Sequence, residues 1–355
     1  MSATVVTSRC RRCRTLEPWS RFADRAGAVQ PPYAVVRPDL PVSGETGSLL
    51  PLPDAAYLEV GATTAPDLQR LAPRTTSADR AVMAAADPSL AGDLESWFDP
   101  ACAAPRVSLL GPVQVHTTGE PLHRRQDYYA ELVAFLVLGR AGRSANDIAE
   151  AFALDHVRVR NDLLVIRAWL GEDPWHGRTY LTWSRPRGAQ QVADAVGAYR
   201  VAGALTDLDL FLRLRLRAQS RGSDGIEDLV TALSLVRGTP FTDLPAGAWS
   251  WLAREDRVDE YLAAAVVDVA HLVTTHALSA GDVDLAQRAN DSARLAAPDE
   301  DTARWDQVAV EAARGHRDRV EHLVGGLCAE AGETASTRTR EIRLRREWSP
   351  ENADK

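Results

Sequence analysis

Ser144-Ala-Asn-Asp147 and, a few residues on, Asp155-His-Val-Arg-Val-Arg-Asn-Asp-Leu-Leu-Val-Ile-Arg-Ala-Trp-Leu-Gly171 decide how this chain is read. A serine followed three residues later by an aspartate is a variant of the capping box, so a short helix starts at Ser144. Asp155 can cap a longer one. Within it Val159, Leu163, Ile166 and Leu170 recur at steps of four, three and four, which makes one apolar stripe. Gly171 is placed to end the helix in a left-handed conformation. With that stripe inward, the outer face presents Arg158, Asn161, Asp162, Val165 and Trp169.

Working outward, Gln126 to Leu138 reads as a helix that offers Leu132, Phe135 and Leu136 to the stripe. Before it stand two short apolar runs, Val107-Ser-Leu-Leu110 and Val113-Gln-Val115, hinged at Gly111-Pro112. After it Thr179-Tyr-Leu-Thr-Trp183 alternates like a strand. Strands, three helices and a hairpin in that order predict a winged helix over 105–188, preceded by a small sheet.

From about Val192 the text changes. Apart from strand-like residues near Val192 to Val201, helices are predicted at Asp207–Ser220, Ile226–Val236, Trp249–Leu278, Asp284–Ala296, Asp301–Ala313 and Arg317–Cys328. The turns at Gly281-Asp282 and Gly315-His316 recur one 34-residue period apart, with Ala286, Ala293 and Pro298 at the small and proline positions of a tetratricopeptide helix pair. Residues 192–331 are therefore expected to form a tetratricopeptide-like domain, packed separately and joined to the first near Gln190. Of Trp249 and Trp251, two positions apart, one is expected in the core and one near a rim. The fold class is mainly α with a small β component. Residues 1–104 read as a weakly structured leader with a few short elements, one over Leu90–Phe98. Residues 332–355 form a basic tail.

The chain has 355 residues, enough for two cores, with ordinary apolar and charged fractions. No apolar run approaches the roughly 20 residues that span a bilayer, and no secretory signal is present, so a cytoplasmic protein is expected. Net charge is −8, which argues against a generic polyanion binder but leaves room for a local basic patch. Lys355 is the only lysine. That excludes a Walker-type phosphate loop and a Schiff-base lysine, and no Gly-x-Ser-x-Gly or His-Glu-x-x-His occurs. No enzyme activity, cofactor or metal is expected. Cys10-Arg-Arg-Cys13 is half a zinc site without a nearby second half.

Leu109-Leu-Gly-Pro-Val-Gln-Val115, Leu163-Leu-Val-Ile-Arg-Ala-Trp-Leu-Gly171, Ala232-Leu-Ser-Leu-Val-Arg-Gly-Thr-Pro-Phe241 and Trp249-Ser-Trp251 together resemble the actinobacterial bacterial transcriptional activator domain proteins, the antibiotic-pathway regulators among them. The resemblance covers about residues 105–330, with its motifs in the family's order. It implies an OmpR-type winged helix whose third helix enters the major groove, and a helical domain for dimerisation or regulation. Val60-Gly-Ala-Thr-Thr64 and Ala86-Asp-Pro-Ser-Leu90 add similarity to a subgroup in which this module ends a much larger chain carrying peptidoglycan-binding and membrane segments.

Two functions follow as expectations. In the first, double-stranded DNA is the partner. Arg158, Arg160 and Asn161 then meet base edges or phosphates, and Arg178, Arg185 and Arg187 flank the wing. Arg124 and Arg125 stand before the first helix. In the second, the winged helix is an interaction scaffold: Asp162 repels phosphate, and exposed Val165 and Trp169 mark a dry protein contact. In both, the helical domain binds a protein partner or a second copy.

Overall fold

In the computed structural model, residues 87–139, 142–184, 197–221, 225–242, 249–254 and 257–330 are described. Among them the chain is mainly helical with two small sheets. Helix α1 (Leu90–Phe98) matches its expected span. Strands β1 (Arg106–Ser108) and β2 (Gln114–His116) pair antiparallel across the Gly111-Pro112 hinge, with Val107 opposite Val115. Helix α2 (Gln126–Leu138) follows, then β3 (Arg143–Ser144), α3 (Ala145–Phe152) and α4 (His156–Leu170). Strands β4 (Leu181–Ser184) and β5 (Ala198–Val201) close a second sheet in the order β3-β5-β4.

The predicted helix starts are built as their caps require. Ser144 Oγ accepts from Asp147 N at 3.1 Å, and the Asp147 carboxylate accepts from Ser144 N at 2.7 Å. Asp155 accepts from Arg158 N at 2.8 Å to start α4.

The expected separation into two packed units does not hold. Strand β5, beyond residue 188, belongs to the sheet of the first unit. Strand β6 (Leu205–Thr206) lies parallel to β1. The start of α5 (Asp207–Arg221) is pinned to the same strand. The Asp207 carboxylate, fully buried, accepts from Leu109 N at 2.7 Å, Leu110 N at 3.1 Å and Leu208 N at 2.8 Å. Alongside, Leu110 and Leu109 carbonyls accept from Arg237 N and Phe241 N, and the two backbones run so close that a Cβ on Gly111 would stand 2.9 Å from Gly238 N. One apolar cluster accordingly runs from Leu90 through both sheets to Ala303.

Helices α6 (Ile226–Leu233), α7 (Ser250–Arg254), α8 (Val258–Ala280), α9 (Val283–Ala296), α10 (Asp301–Ala313) and α11 (Arg317–Glu330) complete the fold. The single helix expected over Trp249–Leu278 is broken, because Trp249 and Arg257 take left-handed φ of 62° and 45°. Trp249 thus precedes α7 instead of sitting in it, and the argument that tryptophans two apart must face apart does not apply. Both are buried. Trp249 N and Trp251 Nε1 donate to Glu131 Oε1 of α2 at 2.7 and 3.1 Å, and Trp251 packs edge-on against Phe135 at 5.0 Å. Burial raises the Glu131 carboxyl above its ordinary range, and these two bonds partly offset it.

Helix α8 is long and apolar enough to cross a membrane, yet most of that window is buried inside the fold, with Leu262, Val266, Ala270 and Val273 in the core. Further on, Gly281 and Gly315 end α8 and α10 with φ of 77° and 78°. Ala286 and Ala293 are fully buried between helices, which is why nothing larger stands there. At the other end Arg213 of α5 clamps α1, bonding Asp87 at 2.7 Å, Asp93 at 2.7 Å and Asp209 at 3.0 Å.

Burial dominates the Asp207 carboxyl and pushes it from 3.8 to about 6, against the lowering by its three N–H donors. A raised value means the folded chain holds the proton more tightly than the unfolded one. The stability this group lends is full below 3.8 and is lost as pH rises through about 6. Acidifying from about pH 7 to about pH 5 therefore stabilises the wild type by about 1 kcal/mol relative to Asp207→Asn. The amide also leaves one backbone N–H unpaired, lowering stability by roughly 1–3 kcal/mol at either pH. Urea unfolding of both proteins at the two pH values measures this; a gap between them that does not change with pH refutes the proton linkage.

Candidate nucleic-acid interface

Helix α4 is fixed from three sides. Val159, Leu163, Ile166 and Leu170 are buried as the spacing predicts. Its last carbonyls, which lack intrahelical partners, are met by the loop after β2. Thr117 Oγ1 donates to Trp169 O at 2.7 Å and Leu170 O at 3.0 Å, and Glu120 N donates to Ala168 O at 3.0 Å. Gly119 lies so close that a Cβ there would collide with the Trp169 carbonyl. On another side, half-buried Arg167 Nε reaches Leu181 O of β4 at 3.4 Å.

The outer face differs from the expected one in three residues, Asp162, Trp169 and Val165. Asp162 is 2% exposed and Trp169 is 4% exposed. Val165 is partly buried against the core. The inward arc is wider than a four-residue stripe, because at about 100° per residue both Asp162 and Trp169 fall on the flank beside Val159 and Ile166. Asp162 is covered by α2: Tyr128 Oη donates to it at 2.7 Å and Tyr129 Oη at 3.1 Å. Burial first, then the Asp162 bond, holds the Tyr128 hydroxyl far above its ordinary value, and burial with Asp162 raises Tyr129 as well. The aspartate that should have repelled phosphate is therefore turned away from solvent and shared among donors.

Arg158 is the third donor, with Nε 3.0 Å from Asp162 Oδ2 and a side chain 41% exposed. Arg125, itself in a left-handed conformation, stacks over the Tyr128 ring at 4.2 Å. Arg158 thus bonds the buried carboxylate directly and Arg125 covers one of its tyrosine donors, while exposed Asp127 and Asp155 stand at the starts of the same two helices. In the sequence Arg125 is marked only as a basic residue before the helix, and Tyr128 and Tyr129 carry no signal beyond their own polarity.

Besides His156 at its first position, what remains outward on α4 is Val157, Arg160, Asn161 and Leu164, and the last four form one set. These positions recur at three, four and seven, so they share one face. Val157 is 67% and Leu164 59% exposed, uncommon for large apolar side chains. Arg178 is exposed but lies in the turn between α4 and β4, beyond the C-terminal end of α4. Ten residues of helix separate Arg160 from Leu170, a rise of roughly 15 Å, so Arg178 is not part of the same cluster. Arg185 and Arg187 lie outside the described residues, as do Cys10, Cys13 and the basic tail. Of the six predicted contact residues, then, Arg160 and Asn161 stand together on the free face, Arg158 adjoins them in a latched position, and Arg178 stands apart.

No family model, no curated protein and no solved structure matches this chain.

If Asp162 is the buried acceptor for three donors, Asp162→Ala strands two tyrosine hydroxyls and lowers the unfolding free energy by about 2–4 kcal/mol. Arg158→Ala leaves both hydroxyl bonds intact and lowers it by about 1 kcal/mol or less. Equal, small effects of the two in urea unfolding overturn the buried-acceptor role.

Proposed function

We propose that this protein is a cytoplasmic DNA-binding transcriptional regulator, in which 105–201 serves as a winged helix and α8 to α11 as tetratricopeptide-like repeats for a partner or a second copy. The order α2, β3, α3, α4, β4, β5 with sheet order β3-β5-β4 supports the first assignment. The 34-residue spacing of Gly281 and Gly315 and the buried Ala286 and Ala293 support the second. The single observation that carries the functional reading is the free face of α4. It presents Arg160 and Asn161, the side chains that pair bidentately with guanine and adenine edges, at the N-terminal half of a helix supported on both flanks. The inward turn of Asp162 removes the like charge that would oppose such contact.

On this reading Arg160 and Asn161 meet base edges, and Arg158 and Arg125 meet the phosphates beside them. The Asp162 carboxylate holds Arg158 in place, so less rotamer freedom is lost on binding.

A second reading keeps the fold and replaces the duplex with a protein. Val157 and Leu164 favour it, since both are large, apolar and exposed on the same face as Arg160. In DNA binding the two can touch thymine methyl groups; in protein binding they become the anchor.

Selection from a random duplex library, followed by titration at several salt concentrations, separates these. The regulator reading expects an enriched sequence and an affinity that falls with salt. Arg160→Ala then costs roughly 1–3 kcal/mol at one base pair and relaxes selectivity there, whereas Arg125→Ala weakens all duplexes alike and lowers the salt slope by about one. No enrichment and no salt-dependent binding to any duplex rejects the regulator and leaves the scaffold, for which Leu164→Ala abolishes partner capture.

A further inference from the structure

Helices α9, α10 and α11 enclose a pocket of 260 Å³ lined among others by Arg294, Arg304, Gln307, His322 and Leu323. Its lining contains no carboxylate, in a chain where acidic residues outnumber basic ones 49 to 41. The floor is fixed. Gln307 is buried, its Oε1 accepts from Asn290 Nδ2 at 2.9 Å, and its Nε2 donates to Glu311 Oε1 at 3.0 Å. Behind it Asn290 is fully buried with Oδ1 unpaired, so the α9–α10 interface here holds amides where apolar side chains would pack at less cost.

The donors on the wall are less committed than the floor. Arg294 is exposed, and its contact among the described residues is one 3.5 Å approach to Gln307 Oε1. His322 is exposed and has no hydrogen-bond or ion-pair partner among the described residues. Arg304 has interactions of its own and adds charge to the wall.

We propose that this pocket binds a small phosphate-bearing ligand, with Arg294 of α9 and His322 of α11 closing on the phosphate from two sides. A phosphate monoester brings nearly two negative charges and three acceptor oxygens, which suit three donor side chains better than the two oxygens of a carboxylate. A guanidinium fork matches the spacing of those oxygens. The volume is below the roughly 300–1,000 Å³ of pockets for drug-sized molecules, so the site takes a headgroup with a few carbons and no nucleotide. The apolar contacts of Trp305, Val324 and Leu327 that hold α11 form a cluster separate from the main core. A ligand bridging α9 and α11 therefore ties down a helix held outside the main core, independently of what α4 binds.

Isothermal titration of the full chain with inorganic phosphate at constant ionic strength tests this, with acetate as the comparison. The expected result is one phosphate per chain. Arg294→Ala and His322→Ala should each weaken it by about tenfold or more, the loss of one charge-assisted hydrogen bond. Arg288→Ala, exposed on the same helix but outside the pocket, should leave it unchanged, and circular dichroism confirms that all variants fold. No heat with phosphate in the millimolar range overturns the proposal. So does an Arg288→Ala effect equal to that of Arg294→Ala, or acetate binding more tightly than phosphate.

Discussion

A buried carboxylate, bonded among the described residues to backbone N–H groups and not to a cation, joins the sheet half of this protein to its helical half. Asp207 accepts from the backbone N–H groups of Leu109, Leu110 and Leu208, so the end of β1 and the first turn of α5 share one acceptor. Main-chain donors in the interior must be satisfied, and here two of them are served by a residue of the other half. The parallel pairing of β1 with β6 and the backbone bonds from Arg237 and Phe241 lie beside that junction and bind the same segments. The desolvation of Asp207 opposes its ionisation, and the three bonds offset part of it. The arrangement trades stability for a fixed geometry between the two halves.

A similar device recurs at a smaller scale in Asp162. It gathers the hydroxyls of Tyr128 and Tyr129 from α2 and the guanidinium of Arg158 from its own helix. From Tyr128 an aromatic series continues through Phe152 and Phe135 to Trp251 and Trp249, each pair meeting at 5.0–6.0 Å. The buried flank of α4 and helix α7 are thus connected by packed side chains. Contiguity of this kind permits mechanical communication but does not by itself amount to coupling.

Local signals were readable where local chemistry decides. The spans of α1 and α2, the capping box at Ser144, the Asp155 cap and the turns at Gly281 and Gly315 follow from propensity, caps and glycine. What escaped was set by distant cover. Asp162 and Trp169 looked outward because nothing local shows that Tyr128, Tyr129 and the Thr117–Glu120 loop close over that flank. The break before Val258 depends on Trp249 turning inward to meet Glu131, 118 positions earlier. The division at Gln190 failed for the same reason: β5 and β6 answer to strands far upstream. Yet the motifs behind the family resemblance sit at these long-range contacts. Leu109 to Val115 lies against Arg237 to Phe241, and Trp249 to Trp251 lies on α2.

The ties between the halves also set the order in which the protein can assemble. Leu109 and Asp207 are 98 residues apart, and Glu131 and Trp249 are 118 apart. At roughly 5–20 residues per second, a ribosome delivers each second partner about 5–24 s after the first. During that interval α2, α3 and α4 have been synthesised, and Phe135 can meet Phe152, but Leu109 N and the Glu131 carboxylate still lack the partners that Asp207 and Trp249 supply. The nascent chain must carry a sticky, unfinished half until its middle emerges, a state that invites chaperone binding. Slowing or stalling translation between Val201 and Trp249 therefore prolongs the vulnerable stage.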